Sequence, residues 1–477
     1  LEDCTTGGNN TAVGRFALGQ LTTASQNVAI GDYALDAMTT ASDNTAVGYE
    51  ALTTNTSGAQ NTGVGHRSLI LNTTGLGLCA FGVGALDANT TGNYNAAFGR
   101  HALSGSTTAH DNTAFGAFAL QANTSGTYNV GVGCSALQSN TSAIKNTALG
   151  YRALTANTTG HRNTAAGTDA LLNNTTGAYN SAFGQDAMGL NTTGTNNTAL
   201  GRATLYTNST GSNNTAIGYN ALNANQTAND NTAIGYRTLV ANTTGYSSVG
   251  IGNSALGSNT TGYQNVAVGM FALTSNTTAD RCNAFGFHAL AGNTTGDYNC
   301  AFGTWALDAN SAGNSNCAFG YEALTDTTSN DNTGIGHQAG YQLTTGYSNT
   351  AVGSQALYSA TTDNQNVAVG FESLKNSTAD SSTAVGSKAL KANTSGAENC
   401  AVGCNSLAAN TTGSQGTSVG TNALAVNVDG EKNTAVGFNA LTANTGGDDN
   451  TAVGYQALVA NTTGDLNVAI GVGAMDA

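Results

Sequence analysis

One seventeen-residue unit recurs along the whole chain, and its shortness dictates what the chain can become. The copy from Asn450 to Leu466 reads Asn-Thr-Ala-Val-Gly-Tyr-Gln-Ala-Leu-Val-Ala-Asn-Thr-Thr-Gly-Asp-Leu. Taking its first glycine (position 5) as the marker, copies fall at Gly14, Gly31, Gly48 and every seventeenth residue to Gly320. They continue from Gly336 to Gly471 with two single-residue deletions. These 28 markers leave no stretch of ordinary globular sequence between them. Seventeen residues cannot enclose a core of their own, so each copy must be one turn of a stack whose core exists only between neighbours. The expected organisation is one continuous repeat domain, 1–477, although length alone implies two or three globular domains.

Glycine, asparagine and threonine are abundant and proline is absent, a composition that taken alone fits a disordered tract. The pattern excludes that. Position 4 is held by Val13, Ile30, Val47, Phe81, Leu149, Ile217, Phe302 and Val453, and only Ala166 is small there. Low-complexity disorder has no reason to keep one apolar residue in one phase. Position 2 is mostly Thr, Val or Cys, position 3 Ala with some Gly or Ser, and position 5 always Gly. This reads as a very short strand ended by a glycine corner. Strand alternation puts positions 2 and 4 on one face and position 3 on the other, and the large residue at position 4 is expected to point inward. Positions 8 to 11 read Ala-Leu-x-Ala, with Leu at position 9 in all copies but those of Met188, Gly340 and Met475. A second short strand there would turn positions 9 and 11 inward; four residues are too few for a helix that stands without tertiary support.

The Asn-Thr-Thr-Gly at positions 12 to 15 is turn chemistry, since Asn bonds its own backbone and Gly supplies unusual dihedrals. Stacked turns would align their Asn and Thr side chains into ladders. Proline is absent because each rung must donate its N–H groups to a neighbour. The expected fold is therefore all-β, a parallel β-solenoid or β-roll of about 28 seventeen-residue coils. With positions 4 and 9 filling the core, the small residues of position 3, such as Ala12, Ala29, Ala46 and Ala452, would form a smooth outward stripe against which partner chains pack.

Asn27-Val28-Ala29-Ile30-Gly31 and Asn467-Val468-Ala469-Ile470-Gly471, each followed by a nearby Ala, resemble the head repeat of trimeric autotransporter adhesins. The full unit Asn-Thr-Ala-Val-Gly-Tyr-Gln-Ala-Leu-x-Ala-Asn-Thr-Thr-Gly is also similar to repeats of bacterial and phage tail-fibre-like proteins. The likeness spans essentially the entire chain. It implies a left-handed parallel β-roll, three identical chains side by side, and a surface adhesin or fibre outside the cell or on a virion. The adhesin rung is typically shorter than seventeen residues, and no stalk, anchor or self-cleaving chaperone is present here, so a single-chain solenoid stays open.

Charged residues make up 8% of the chain and the formal net charge is −14. Thirteen scattered Lys and Arg cannot line a nucleic acid. No apolar run approaches the ~18 residues that cross a bilayer. The six histidines, His66, His101, His110, His161, His288 and His337, fall at positions 6, 7 or 16, dispersed along the array. No nucleophile motif accompanies them, so no catalytic, cofactor or metal site is expected. Paired carboxylates, for instance Asp308 with a neighbouring coil, could reach glycosidase spacing only by the accident of stacking. Eight cysteines contain no Cys-x-x-Cys pair. Cys79, Cys300, Cys317 and Cys400 share position 2, where Cys serves as a small hydrophobe. Cys300 and Cys317 stack in adjacent rungs, where a strained disulfide is conceivable; Cys134 and Cys404 at position 6 are better placed for contacts outside the coil.

Position 12 also generates glycosylation triplets at Asn55, Asn72, Asn89, Asn123, Asn157, Asn242, Asn259, Asn293, Asn410 and Asn461, although turn chemistry alone would produce them. Leu1 matches position 9 and Ala477 position 11, so both ends are expected to be uncapped and open to end-to-end growth. The functional expectation is a structural extracellular fibre or adhesin shaft, a homotrimer or end-to-end filament, with a cell-surface or glycan receptor as its further partner. The alternative is a single-chain ice-binding or glycan-binding solenoid, the aligned Thr rows being the reason.

Overall fold

The computed structural model describes residues 4–476. Leu1 and Ala477, on which the reading of open ends rests, lie outside them. The chain is a β-solenoid of 28 three-residue strands, and no helix occurs among the described residues. It falls into two compact units, Leu1–Thr244 and Gly245–Ala477. The first holds fourteen strands from β1 (Thr11–Val13) to β14 (Thr232–Ile234), the second fourteen from β15 (Val249–Ile251) to β28 (Val468–Ile470). Within each unit consecutive strands pair in parallel and in register. Thr198, Ala199 and Leu200 face Thr215, Ala216 and Ile217, and Thr434, Ala435 and Val436 face Thr451, Ala452 and Val453.

Each rung has one strand, at positions 2 to 4. The corner glycine of position 5 is obligatory for two reasons. Its φ is positive, +136° at Gly48, and a Cβ there would sit 2.6 Å from the carbonyl oxygen of Gly65 in the next rung. The expected second strand at positions 8 to 11 is not formed. Positions 6 to 11 run instead as consecutive turns, with positions 7 and 9 left-handed, as at Glu50 (φ +57°) and Leu52 (φ +54°). A leucine in that region is uncommon and costs on the order of 1 kcal/mol or more. The cost is offset because Leu52 donates its N–H to the Ser68 carbonyl (3.0 Å), accepts from the Asn55 N–H (3.1 Å) and buries its whole side chain.

The core corrects the sequence expectation about which strand face points inward. Leu at position 9 is buried as expected, but it is joined by the alanines of positions 3 and 8, not by position 4. Ala29, Ala46 and Ala452 are fully buried within their own chain and Ala12 is half-buried, so they form no outward stripe for a partner. The reason is the reach of position 9. Leu side chains cross the thin coil and touch the inner wall of the strand. Where position 3 is glycine, a methyl group added at Gly334 would lie 2.7 Å from Leu324 Cγ, and one at Gly63 3.3 Å from Leu52 Cδ1. Only a small residue fits. Ser418 is admitted because its hydroxyl donates to the Ala423 carbonyl (2.8 Å) and meets Ser406 Oγ at 2.7 Å.

Two asparagine ladders close the other sides. At position 12, Asn72 Nδ2 donates to the Gly75 carbonyl across its own turn (3.1 Å) and to Asn55 Oδ1 in the preceding rung (2.8 Å). At position 1, Asn61 Nδ2 donates to the Gly75 carbonyl (2.8 Å), while Asn44 Oδ1 accepts the Asn61 N–H (2.9 Å). Thr hydroxyls at position 13 bond the next rung, as Thr73 Oγ1 does the Thr90 carbonyl (3.0 Å). The ladders read from the turn sequence are thus present, and they engage the asparagines of the glycosylation triplets. Asn55, Asn72, Asn89, Asn123, Asn157, Asn242, Asn259, Asn293 and Asn410 are fully buried. Asn461 is half-buried, with its amide nitrogen donating to Asn444 Oδ1 and the Gly464 carbonyl, both at 3.1 Å. A glycosyltransferase needs that nitrogen exposed and free.

Candidate functional site

With position 3 inside, positions 2 and 4 face out, and the surface of the sheet becomes the most distinctive face of each unit. Position 4 carries large apolar groups in the open: Phe115 is 57% exposed, Leu149 53%, Leu200 48% and Phe319 52%. Beside this rank runs position 2, mostly threonine. None of the 28 strands contains Asp, Glu, Lys or Arg. The in-register pairing repeats equivalent side chains at the strand spacing of ~4.8 Å. Parallel sheets are ordinarily covered on both faces, and here the chain itself covers one.

Aromatic side chains on this face stack along the array. Phe81, Phe98 and Phe115 follow one another at ring-centroid distances of 4.9 and 5.5 Å, and Phe285, Phe302 and Phe319 at 4.5 and 4.9 Å. Away from the strands, Tyr246 stacks on Tyr263 (4.8 Å, 3° between planes) and Tyr341 on Tyr358 (5.2 Å). In such ladders each ring covers its neighbour's face and presents its edge, whereas a sugar ring needs an open aromatic face.

The cysteines at position 2 are half-buried on the outward face, not inside the coil. Cys300 and Cys317 are register partners on adjacent strands, and both are free thiols rather than a disulfide. Burial and the neighbouring Cys317 push the Cys300 thiol up. The buried cysteine is Cys282, which replaces Asn at position 1; burial pushes its thiol up to about 12. Cys134 and Cys404 are exposed. His288 Nδ1 lies 3.7 Å from Asp308 Oδ1, and burial raises that half-buried carboxyl. Among the described residues no group of three or more His, Cys, Asp or Glu is placed to hold a metal ion, and no helix is long and apolar enough to cross a membrane.

The outward rank carried a sequence signal. Position 4 ranges in volume from Ala166 to Phe302, while position 3 is only ever Ala, Gly or Ser. A close-packed interior does not tolerate such a volume range at one site, so the variable position marks the surface and the uniform one the core. No known family model, curated protein or solved structure matches the chain.

Proposed function

We propose that the chain is a structural shaft of an extracellular or virion-surface fibre or adhesin, in which copies associate side by side through the outward strand face, as a homotrimer. The carrying observation is the exposed, uncharged apolar rank at position 4 on a parallel sheet whose other face the chain already covers. Its natural cover is a second copy. Only another array with the same rung spacing keeps every Phe, Ile and Val in phase with an apolar partner, and an uncharged face carries no repulsion against itself. Light scattering on the purified chain tests this. The expected mass is three chains of 47.5 kDa each, falling to one in a variant with Phe98→Lys, Ile217→Lys and Val402→Lys. A wild-type protein that stays monomeric at all concentrations overturns the reading.

A second reading, single-chain ice binding, is favoured by a different feature of the same face. Thr198, Thr215 and Thr232 hold their hydroxyls in an outward row at the rung spacing. The Thr row of position 13 does not serve this purpose, because its hydroxyls bond carbonyls of the next rung. Inhibition of ice recrystallisation by the monomer, lost on Thr215→Lys, would establish it over the fibre. A glycan receptor for the shaft is tested by binding to a glycan array.

A further inference from the structure

We infer that Cys300 and Cys317 together form a binding site for a soft, two-coordinate monovalent cation of the copper(I) or silver(I) kind, held between two adjacent rungs. Both thiols are free, half-buried on the outward face, and exact register partners in parallel strands β18 (Cys300–Phe302) and β19 (Cys317–Phe319). In-register side chains in the same rotamer repeat at the strand spacing, ~4.8 Å. Two metal–sulfur bonds of about 2.3 Å, the length found in zinc thiolates, span ~4.6 Å when placed end to end. The strand spacing therefore matches the span of a linear S–metal–S bridge. A disulfide fits less well, because it needs sulfurs ~2.05 Å and Cβ atoms ~3.8 Å apart.

The surroundings favour a soft ion. The stacked rings of Phe302 and Phe319, 4.9 Å apart, run along the same strands at position 4. The next position-2 residues along the stack are Asn283 and Thr333, which are neutral. Thiolates select copper(I) over hard cations, and an uncharged site with two sulfurs lacks the oxygen ligands that calcium or magnesium requires. Binding releases two protons, one from each thiol, and leaves a bis-thiolate complex of net charge −1. The site is complete within one chain, so it exists whether or not a copy lies over the strand face.

The test is titration of the reduced full-length protein with silver(I), and with copper(I) under a competing chelator, read by the thiolate-to-metal charge-transfer band. One tight site is expected. Cys300→Ser and Cys317→Ser should each weaken it by on the order of 100-fold, because either change breaks the chelate. Cys79→Ser and Cys400→Ser should leave it unchanged; these thiols occupy the same position but face Thr or Ala in the neighbouring rungs. All four variants should fold, since Ser181 already occupies position 2 elsewhere. Equal weakening by Cys79→Ser, or full affinity in either single variant of the pair, overturns the proposal. So does a pair that only oxidises to a disulfide and takes up no metal when reduced.

Discussion

Full-length and shortened rungs solve the same turn with different side chains, and the difference shows what each residue of the unit does. In the seventeen-residue rung containing Asn72, the Asn amide spans from position 12 to the carbonyl of position 15. The two sixteen-residue rungs, 316–331 and 366–381, both lack position 14 and both replace that Asn by a hydroxyl, Thr327 or Ser377. Ser329 and Ala379 still stand at position 15, accepting from Asn316 Nδ2 (2.6 Å) and Asn366 Nδ2 (2.9 Å). Thr328 and Thr378 keep the position 13 ladder. In one of the two short rungs a shorter bridge spans the turn, Ser377 Oγ meeting the Ala379 N–H at 3.3 Å, two residues away; in the other, Thr327 Oγ1 instead bonds the Leu343 carbonyl of the next rung at 3.0 Å. The strands feel none of this, since Cys317 still pairs with Thr333 and Val367 with Thr383.

The converse mismatch also occurs. Ser106 puts the short side chain into a turn of full length, and both Ser106 Oγ and the Asn89 Oδ1 above it are buried with no partner among the described residues. Full-length rungs also admit the buried apolar residues Leu21, Met38, Leu343 and Ala360 at position 12, which bring no polar group to satisfy, so the mismatch lies in an unmatched polar side chain.

The largest expected effect tests what the two kinds of rung share. Gly48→Ala in a full rung and Gly370→Ala in a short one should each cost on the order of 4 kcal/mol in denaturant unfolding, because the corner and its close approach are identical in both. A small effect in the short rung alone would show that its corner relaxes. Next, deleting Thr74 while keeping Asn72 should cost roughly 3 kcal/mol, from a buried amide held at the wrong span. Adding Asn72→Ser to the deletion should recover part of that loss, and no recovery would break the pairing of bridge and turn. Repairing the natural mismatch is a smaller step: Ser106→Asn should stabilise by about 1 kcal/mol, seen as a raised Tm, by giving Asn89 Oδ1 its donor.

A further change is one of slope. Asp363 stands at position 15 beside the short rung 366–381. Its carboxyl is pushed up to about 7 by burial and by Asp380, and its Oδ2 has no partner among the described residues. In the unfolded chain it ionises near 4. The folded state therefore holds the proton more tightly, and stability should fall as pH rises from about 4 to about 7. Asp363→Asn should flatten the Tm over that window, whereas an unchanged slope would place its origin elsewhere. A counterweight in the short rung itself, Glu372, is held down to about 2 by Lys375 and Lys391, each 2.7 Å away.

Much of the rung could be read from the sequence because its constraints are local. A glycine that must turn at position 5, an Asn that bonds its own turn at position 12 and a missing proline each act within a few residues of themselves. The readings that failed depended on what stands across the coil. Ala199 and Leu200 are adjacent in one strand, and nothing local says which enters the core; intuition chooses Leu200, which is the exposed one. The buried side chain at position 9 of the preceding rung decides it, by filling from the opposite wall the space that a large residue at position 3 would need, as Leu52 does beside Gly63. The triplet beginning at Asn157 is likewise an accessible acceptor on paper and a buried ladder rung in the fold.

By itself the sequence determined the period, the parallel stacking, the corner and the turn ladders, since these follow from backbone geometry repeated at seventeen residues. Only the tertiary structure decided which face of the strand is core and which is surface, and that placed the apolar rank outside and the Cys300–Cys317 pair beside it. The physical reason is thickness. In a coil one leucine wide, volume across the core is set by the two opposite walls together, and no single segment of the unit carries that sum.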